Sequence, residues 1–376
     1  MKVAGLFAGV GGIELGLEQA GLTTSLLCEI DDRARAVLEH RFAGVRIEPD
    51  VRAITRLPRG IDLLTAGFPC QDLSQAGNTR GIFGRRSGLI RAVFQLITAS
   101  RPPWILLENV PFLLRLDRGR GIAYVTRKLE RLGYRWAYRI VNTQAFGIPH
   151  RRERVFLLAS RTSDPASLLL TQDSLAPDAH AGPDVAHGFY WTEGTRGLGW
   201  AVDSVPTIKG GSGIGIPSPP AIWFPDGRFV TPDIRDAERL QGFPANWTRP
   251  AEAAGRPAHR WTLVGNAVSV PVARWIGRRL LGGTETKPVL RTVELSRTAP
   301  WPRAAFGGPG TRRHAVEIGA FPVSRARRHL HEFLRFDPPP LSHRAADGFQ
   351  RRLLRSSLSR RTEFEDALAE YVSQRA

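Results

Sequence analysis

The chain has 376 residues, 42% of them hydrophobic and 23% charged, a balance that excludes wholesale disorder and leaves ample length for the packed cores of two or three domains. No stretch approaches the ~18 consecutive apolar residues of a membrane-spanning helix, and two cysteines exclude a disulfide scaffold or a multi-cysteine zinc site. The net charge of +18, from 53 Lys and Arg against 35 Asp and Glu, points to a polyanionic partner, most economically nucleic acid.

Two further readings follow from composition. All but four of the 53 basic residues are Arg; a GC-rich genome explains that preference but not the excess over acids. The low cysteine content fits a reducing cytoplasm, and the N-terminal run reads as a strand and turn without a signal peptide's cleavage pattern. A membrane partner is not expected.

Residues 1–160 alternate between short apolar runs and helical patterns. Strands are predicted at 2–8, Thr23–Cys28, 61–66, 104–107, Arg135–Asn142 and 155–160. Helices are predicted at 12–20, 31–42, 89–100 and 121–134; the second has an acidic start that suits the helix dipole. This alternation predicts an α/β fold built on a doubly wound, Rossmann-like sheet. From 161 to about 227 Gly and Pro are frequent and long periodic segments are few, which predicts a small loop-rich domain. Helical pattern returns at 233–241 and 268–281. Residues 285–376 carry 17 basic and 10 acidic residues, with some helical pattern near 351–373 and no assignable motif. The resulting division is 1–160 with 263–283, then 161–262, then a basic extension of unknown role at 284–376.

Phe7-Ala8-Gly9-Val10-Gly11-Gly12 follows a strand and opens a helix, where glycines let the backbone approach a nucleotide-like ligand. Glu29 ends the next strand, 20 residues after Gly9, and can bind ribose hydroxyls; Asp50 can accept from an adenine amino group. A Gly-rich turn plus an acid is shared by NAD, FAD and S-adenosylmethionine folds, so these residues alone leave the ligand open. Gly67-Phe68-Pro69-Cys70-Gln71 lies past the third predicted strand, at the sheet edge where such folds place ligands. Cys28, inside an apolar strand, reads as an inert small hydrophobe, whereas Cys70 faces the presumed site. Glu108-Asn109-Val110 brings a carboxyl to the same edge. His150-Arg151-Arg152-Glu153-Arg154 supplies basic groups able to lower a thiol pKa or grip an anionic or carbonyl oxygen.

Taken in order, FAGVGG (7–12), Glu29, Asp50, GFPCQDLSQAG (67–77), ENV (108–110), HRRER (150–154), RLQGFPANW (239–247) and VGNAVSVPVA (264–273) resemble the DNA (cytosine-5) methyltransferase family over roughly residues 1–281. The resemblance implies an S-adenosylmethionine-dependent catalytic domain, with a target-recognition domain at 161–262. It also implies covalent catalysis: Cys70 adds to cytosine C6, Glu108 stabilises the adduct through N3 and the exocyclic amine, Arg152 lies near the thiol and Arg154 holds O2. The cofactor would contact Phe7, Gly9, Gly11, Glu29, Asp50, Val51, Leu89, Asn266 and Val268. The target base leaves the duplex, and a loop at 71–88 with Gln71, Arg80, Arg85 and Arg86 would close over it. Thr192, Arg196, Lys209 and Ser212 are candidate groove contacts. His150 stands where many members have Gln, and Ile30 where some have a Trp stacked on adenine.

The expected partner is double-stranded DNA, with a cognate restriction endonuclease acting on the same site and a monomeric chain in a bacterial cytoplasm, associated with the nucleoid. Three rivals stand beside this reading. An RNA-modifying branch of the family carries a Cys-Phe-Thr signature, which Cys28 and Cys70 do not supply. An NAD-dependent oxidoreductase leaves Cys70, Glu108 and Arg152 unexplained. A noncatalytic DNA-binding protein has no need of an intact Cys70 and Glu108. His329 and His331 lack companion ligands, so no metal is expected. The extension reads equally well as a phosphate-contacting arm or as a structural cover for the core.

Overall fold

The computed structural model describes residues 1–68, 88–176, 184–193, 195, 197–210, 217–282, 291–296, 299–358 and 361–374. Its centre is a mixed sheet. Strands β1 (Lys2–Leu6), β2 (Thr23–Cys28), β3 (Arg46–Glu48), β4 (Leu63–Ala66) and β5 (Trp104–Asn109) run parallel, in the order β5-β4-β1-β2-β3. β1 therefore sits between β4 and β2, and the chain winds away from it in both directions, which makes the carboxyl end of β1 and β4 a topological switch point. Strand β6 (Arg135–Asn142), the short β7 (His150–Arg151) and β8 (Glu153–Ser160) follow; β8 inserts antiparallel between β5 and β6.

Helices cover both faces, which is why β1, β4 and β5 are almost wholly buried. One face packs on helices Gly88–Ser100 and Arg120–Arg131 through Ile90, Val93, Ile97, Ile122, Val125 and Leu129. The other packs on Gly12–Glu18, Pro165–Leu169 and Val270–Gly282. Gly12 and Gly16, one turn apart, make that last contact close: a Cβ on either would stand 2.3 and 2.4 Å from the carbonyl oxygens of Val268 and Val270. Asp31 caps helix Asp32–Arg41 by accepting from the Arg33 N–H at 2.9 Å, as its acidic start predicts.

The smaller region holds β9 (His187–Phe189), β10 (Ala201–Val202), β11 (Val205–Pro206), β12 (Ala221–Trp223) and β13 (Phe229–Val230). Four of these form a sheet in the order β10-β9-β12-β13, while β11 pairs with β7 and joins this region to the core. Helix Pro165–Leu169 packs on the main sheet, so the loop-rich region begins later than the sequence boundary at 161.

The C-terminal residues are part of both regions. Strands β14 (Thr292–Glu294), β15 (Ala304–Gly307) and β16 (His314–Val316) extend the main sheet to ten strands among the described residues, with β15 antiparallel to β6. Trp301 packs on Trp136 and Tyr138. Helices His343–Leu354 and Thr362–Ser373 close the small sheet through Phe349, Leu353, Phe364 and Leu368, against Phe189 and Phe229. Buried Asp203 accepts from the Leu330 N–H at 2.7 Å and pairs with Arg327 at 3.3 Å, and buried Asp236 accepts from the Arg335 and Phe336 N–H groups. These contacts favour the structural reading of the extension over the phosphate-contacting arm. Among the described residues no helix is long and apolar enough to cross a membrane.

Candidate active site

The switch point gathers the sequence candidates at one edge. After β1 the chain turns through Phe7 and Gly9, both at positive φ (54° and 56°). A Cβ on Gly9 would meet nothing within 4 Å, so the turn is open above. The Gly9 N–H donates to Glu29 Oε2 at 2.7 Å and the Asp31 N–H to Oε1 at 2.9 Å, which holds the Glu29 carboxylate over the end of β2. Ile30 is 64% exposed beside it, an apolar side chain left uncovered. Asp50 caps a short turn and pairs with Arg52 at 2.5 Å; the Arg52 hydrogen bonds hold its carboxyl below the usual range. Val51 is buried beneath, and Leu89 is half-buried at the start of its helix.

The second half of the site lies across β4 and β5. Asn109 Nδ2 donates to the Phe68 carbonyl at 2.8 Å, so the end of β5 fixes the last described residue before Pro69. Glu108 is 8% exposed and pairs with Arg154 Nε at 3.1 Å. Burial pushes its carboxyl up, and the charges of Arg154 and then Arg152 pull it partly back. A buried carboxyl whose hold on a proton is raised in this way suits exchange of a proton with a ring nitrogen. Gly67 leaves this carboxylate accessible, since a Cβ there would stand 3.5 Å from Glu108 Oε2.

Arg152 is fully buried. Its guanidinium donates to the Ala267 carbonyl at 2.7 Å and faces the Ile208 carbonyl at 3.5 Å, joining the core to the small region. His150 does the same from the next inward position. Its Nε2 accepts from the Ile208 N–H at 3.1 Å, so Nδ1 carries the proton and donates to the Leu240 carbonyl at 2.9 Å. Burial and the nearby Arg152 hold its pKa well below the ordinary value. One donor and one acceptor are what a glutamine would offer at this place.

Asn266 is exposed at the end of helix His259–Asn266, with its side-chain oxygen beside Gly210, while Val268 is buried with its carbonyl against Gly12. Thr192 is exposed; Lys209 pairs with Glu193 and lies 3.9 Å from the centre of the Tyr190 ring. Cys70, Gln71, Arg80, Arg85, Arg86, Arg196 and Ser212 lie outside the described residues. Cys28 is buried, and burial together with Glu29, Asp50 and Glu48 pushes its thiol up to about 12. Among the described residues no group of three or more His, Cys, Asp or Glu side chains could hold a metal ion.

Sequence reasoning gave no role to several residues at the site. Trp247 Nε1 donates to the Val10 carbonyl at 2.8 Å and pins the glycine turn from outside. Tyr190 lies close enough to Arg152 and Arg154 to feel their charge. Glu14 is buried just after the turn and accepts from Thr65 Oγ1 at 2.7 Å. An acid within an otherwise apolar helix face was the available signal for Glu14; Tyr190 carried none.

The chain is similar to known proteins over most of its length. Residues 1–186 match the family of C-5 cytosine-specific DNA methylases. The Type II methyltransferase M2.BsuMI of Bacillus subtilis (strain 168) is 49% identical, over 94% of this chain and 94% of its own. A match of that extent reaches well past residue 284, so the C-terminal region is shared with this relative. The Type II methyltransferase M.Bsp6I of Bacillus sp. (strain RFL6) is 30% identical, over 74% of this chain and 98% of its own. In three dimensions the S. pombe Dnmt2 methyltransferase superposes with a TM-score of 0.54 at 16% identity, over 75% of this chain and 98% of its own, a likeness of fold. On these matches the chain belongs to the C-5 cytosine-specific DNA methylase family.

Proposed function

We propose that the chain transfers a methyl group from S-adenosylmethionine to C5 of a cytosine flipped out of a specific double-stranded DNA sequence, as the modification enzyme of a restriction-modification system, alongside an endonuclease acting on the same site. The observation that carries the chemistry is the buried Glu108–Arg154 pair at the end of β5, tied by Asn109 to the segment that leads into Cys70. The cofactor cradle is supported by the open turn at Gly9, the Glu29 carboxylate at the end of β2 and the uncovered Ile30. Glu29 would take the ribose hydroxyls, Ile30 would cover one face of the adenine, and Asp50 would accept from its amino group. Bound there, the cofactor supplies an electrophilic methyl group.

Cytosine C5 is a weak nucleophile, so the Cys70 thiolate first adds to C6. The electron pair of the C5–C6 double bond moves toward C5 and the N3 side of the ring. Glu108 delivers a proton at N3 and accepts from the exocyclic amine, while Arg154 holds O2. C5 then carries the charge needed to take the methyl group. Loss of the C5 proton and expulsion of Cys70 restore the aromatic ring. The lid and groove contacts proposed for this step are Gln71, Arg80, Arg85, Arg86, Thr192, Arg196, Lys209 and Ser212.

Bisulfite sequencing of DNA from cells expressing the chain tests activity and reads the target motif together. Cys70→Ser should abolish methyl transfer and leave cofactor binding nearly intact. DNA carrying 5-fluorocytosine at the target cannot release a C5 proton, so it should form a denaturant-stable adduct. Substantial turnover by the Ser variant would refute the covalent route.

A further inference from the structure

One buried acid has no part in the steps above. Glu14 lies in the first turn of helix Gly12–Glu18, 1% exposed, just after the turn at Gly9. Its Oε1 accepts from Thr65 Oγ1 at 2.7 Å, and its Oε2 has no partner. Gly5 of β1 pairs in register with Thr65 of β4, and the missing side chain of Gly5 is what gives the carboxyl its room. A Cβ there would stand 2.3 Å from Glu14 Oε1 and 2.8 Å from its Cδ. Gly5 lies two residues before Phe7, and Thr65 five residues before Cys70.

We propose that Glu14 is a positioning residue: in its neutral form it docks the cofactor-side helix onto β1 and β4, and so holds the cofactor turn and the strand leading to Cys70 at a fixed separation. The proposal rests on the cofactor and nucleophile assignments made above. Its physical basis is the unpartnered oxygen. A protonated carboxyl accepts from Thr65 through one oxygen and leaves no charge unsolvated, whereas an ionised carboxylate leaves a bare charge in the core. Relief would require the helix to lift from Gly5, and the turn at Gly9 would move with it.

Burial pushes the Glu14 carboxyl up to about 7; the Thr65 hydrogen bond and the backbone N–H of Glu14 itself lower it, and the charges of Glu18 and Glu29 raise it. Glu18 on the same helix and Glu29 beyond β2 are the titratable groups acting on it, while the facing residues of β1 and β4, Gly5 and Thr65, are uncharged. If the neutral form is the one that holds the cofactor turn, apparent affinity scales with its population. Cofactor affinity should then weaken about tenfold between pH 6 and pH 8, one unit past the midpoint.

The test compares wild type with Glu14→Gln, Glu14→Ala and Gly5→Ala, measuring cofactor KM, kcat and calorimetric binding at pH 6, 7 and 8. Glu14→Gln is neutral at every pH and keeps an acceptor for Thr65, so its affinity should match wild type at pH 6 and stay flat to pH 8. Gly5→Ala drives the carboxyl from its place and should raise cofactor KM about tenfold or more at all three values, since displacements near 1 Å carry costs of that order. Glu14→Ala in the Gly5→Ala background should recover part of that loss, because the clash is gone. Amide hydrogen exchange at residues 7–12 and 63–68 reads the docking without turnover, and should quicken from pH 6 to pH 8 in wild type beyond the chemical rate but not in Glu14→Gln. Parallel pH profiles for wild type and Glu14→Gln, in binding and in exchange, would overturn the proposal. A wild-type chain that binds no S-adenosylmethionine at any pH would instead overturn the cofactor assignment, and the exchange profiles would still decide the role of Glu14.

Discussion

Replacing Arg154 by Met should produce a stability loss that depends on pH in a defined direction. Arg154 and Glu108 pair at 3.1 Å with side chains only 14% and 11% exposed, so solvent screens little of the interaction. Met fills much of the arginine's volume but leaves Glu108 with only Arg152 opposing its burial. The Glu108 carboxyl is already raised in the folded protein, and the substitution raises it further. Above the unfolded carboxyl value of 4.5 the unfolded chain is ionised while the folded chain holds its proton. The folded state then binds more protons, and stability falls as pH rises from there toward the folded value. Taking up a proton limits the loss. At pH 7 it cannot exceed roughly 3 kcal/mol, from 1.36 kcal/mol per unit over the gap to the unfolded carboxyl, less whatever wild type already bears. Near pH 5 the difference should almost vanish. Urea unfolding of both proteins at pH 5 and pH 7 measures it, and an equal destabilisation at the two values would refute the electrostatic account. In turnover, loss of the group assigned to cytosine O2 should cost about 10²–10³ in kcat.

His150→Gln should preserve both inter-region hydrogen bonds and stay near wild-type stability, whereas His150→Ala strands the Ile208 N–H and the Leu240 carbonyl and should cost about 1–3 kcal/mol by denaturant titration. The His150 pKa is depressed in the folded state, so the unfolded chain binds the extra proton and wild type should lose stability as pH falls below 6.5, by up to about 1.4 kcal/mol per pH unit; the Gln variant should lack that component. Ile30→Asp should leave thermal stability unchanged, because the side chain is largely exposed, yet weaken cofactor binding about tenfold by calorimetry, since burying such a side chain contributes ~1.5–3 kcal/mol. Arg327→Leu should destabilise the chain by about 3 kcal/mol or more by isolating the buried Asp203 carboxylate; a neutral result would show that His329 and the Leu330 N–H suffice.

The catalytic core was legible because its signals are local. The strands Thr23–Cys28 and Arg135–Asn142 coincide with the predicted ranges, since β-branched and aromatic residues such as Thr23, Thr24, Trp136, Tyr138, Ile140 and Val141 carry the strand propensity. The motifs at 7–12, 67–68 and 108–109 lie at the carboxyl ends of β1, β4 and β5, and the motif at 150–154 leads into antiparallel β8, so the same edge of the sheet gathers them. β3 was missed: three residues with two half-exposed side chains leave no periodic pattern. The helical pattern seen near 351–373 belongs to two helices, His343–Leu354 and Thr362–Ser373.

The C-terminal region was illegible for a different reason: its order comes from partners distant in the sequence, such as Asp203 for Leu330 and β6 for β15. β15 is four residues long and pairs with β16 on one side and with β6 on the other, whose Trp136 and Tyr138 also receive Trp301. Several of the arginines that suggested a phosphate-contacting arm are committed within the protein. Arg327 pairs with Asp203, Arg352 donates to the Trp191 carbonyl at 2.8 Å, Arg351 pairs with Asp347, and Arg361 lies over the Trp200 ring. Clustered basic residues in a sequence report a charge, whereas their acceptors, carbonyls and buried acids of another region, are visible only once the chain is folded. The same holds at the active site: Arg152 reads as a catalytic cation from its motif, and its guanidinium is bound to the Ala267 carbonyl and set against that of Ile208. One buried arginine can serve both purposes, because a cation fixed by two carbonyl dipoles keeps its charge within reach of Glu108 while it fastens the small region to the core.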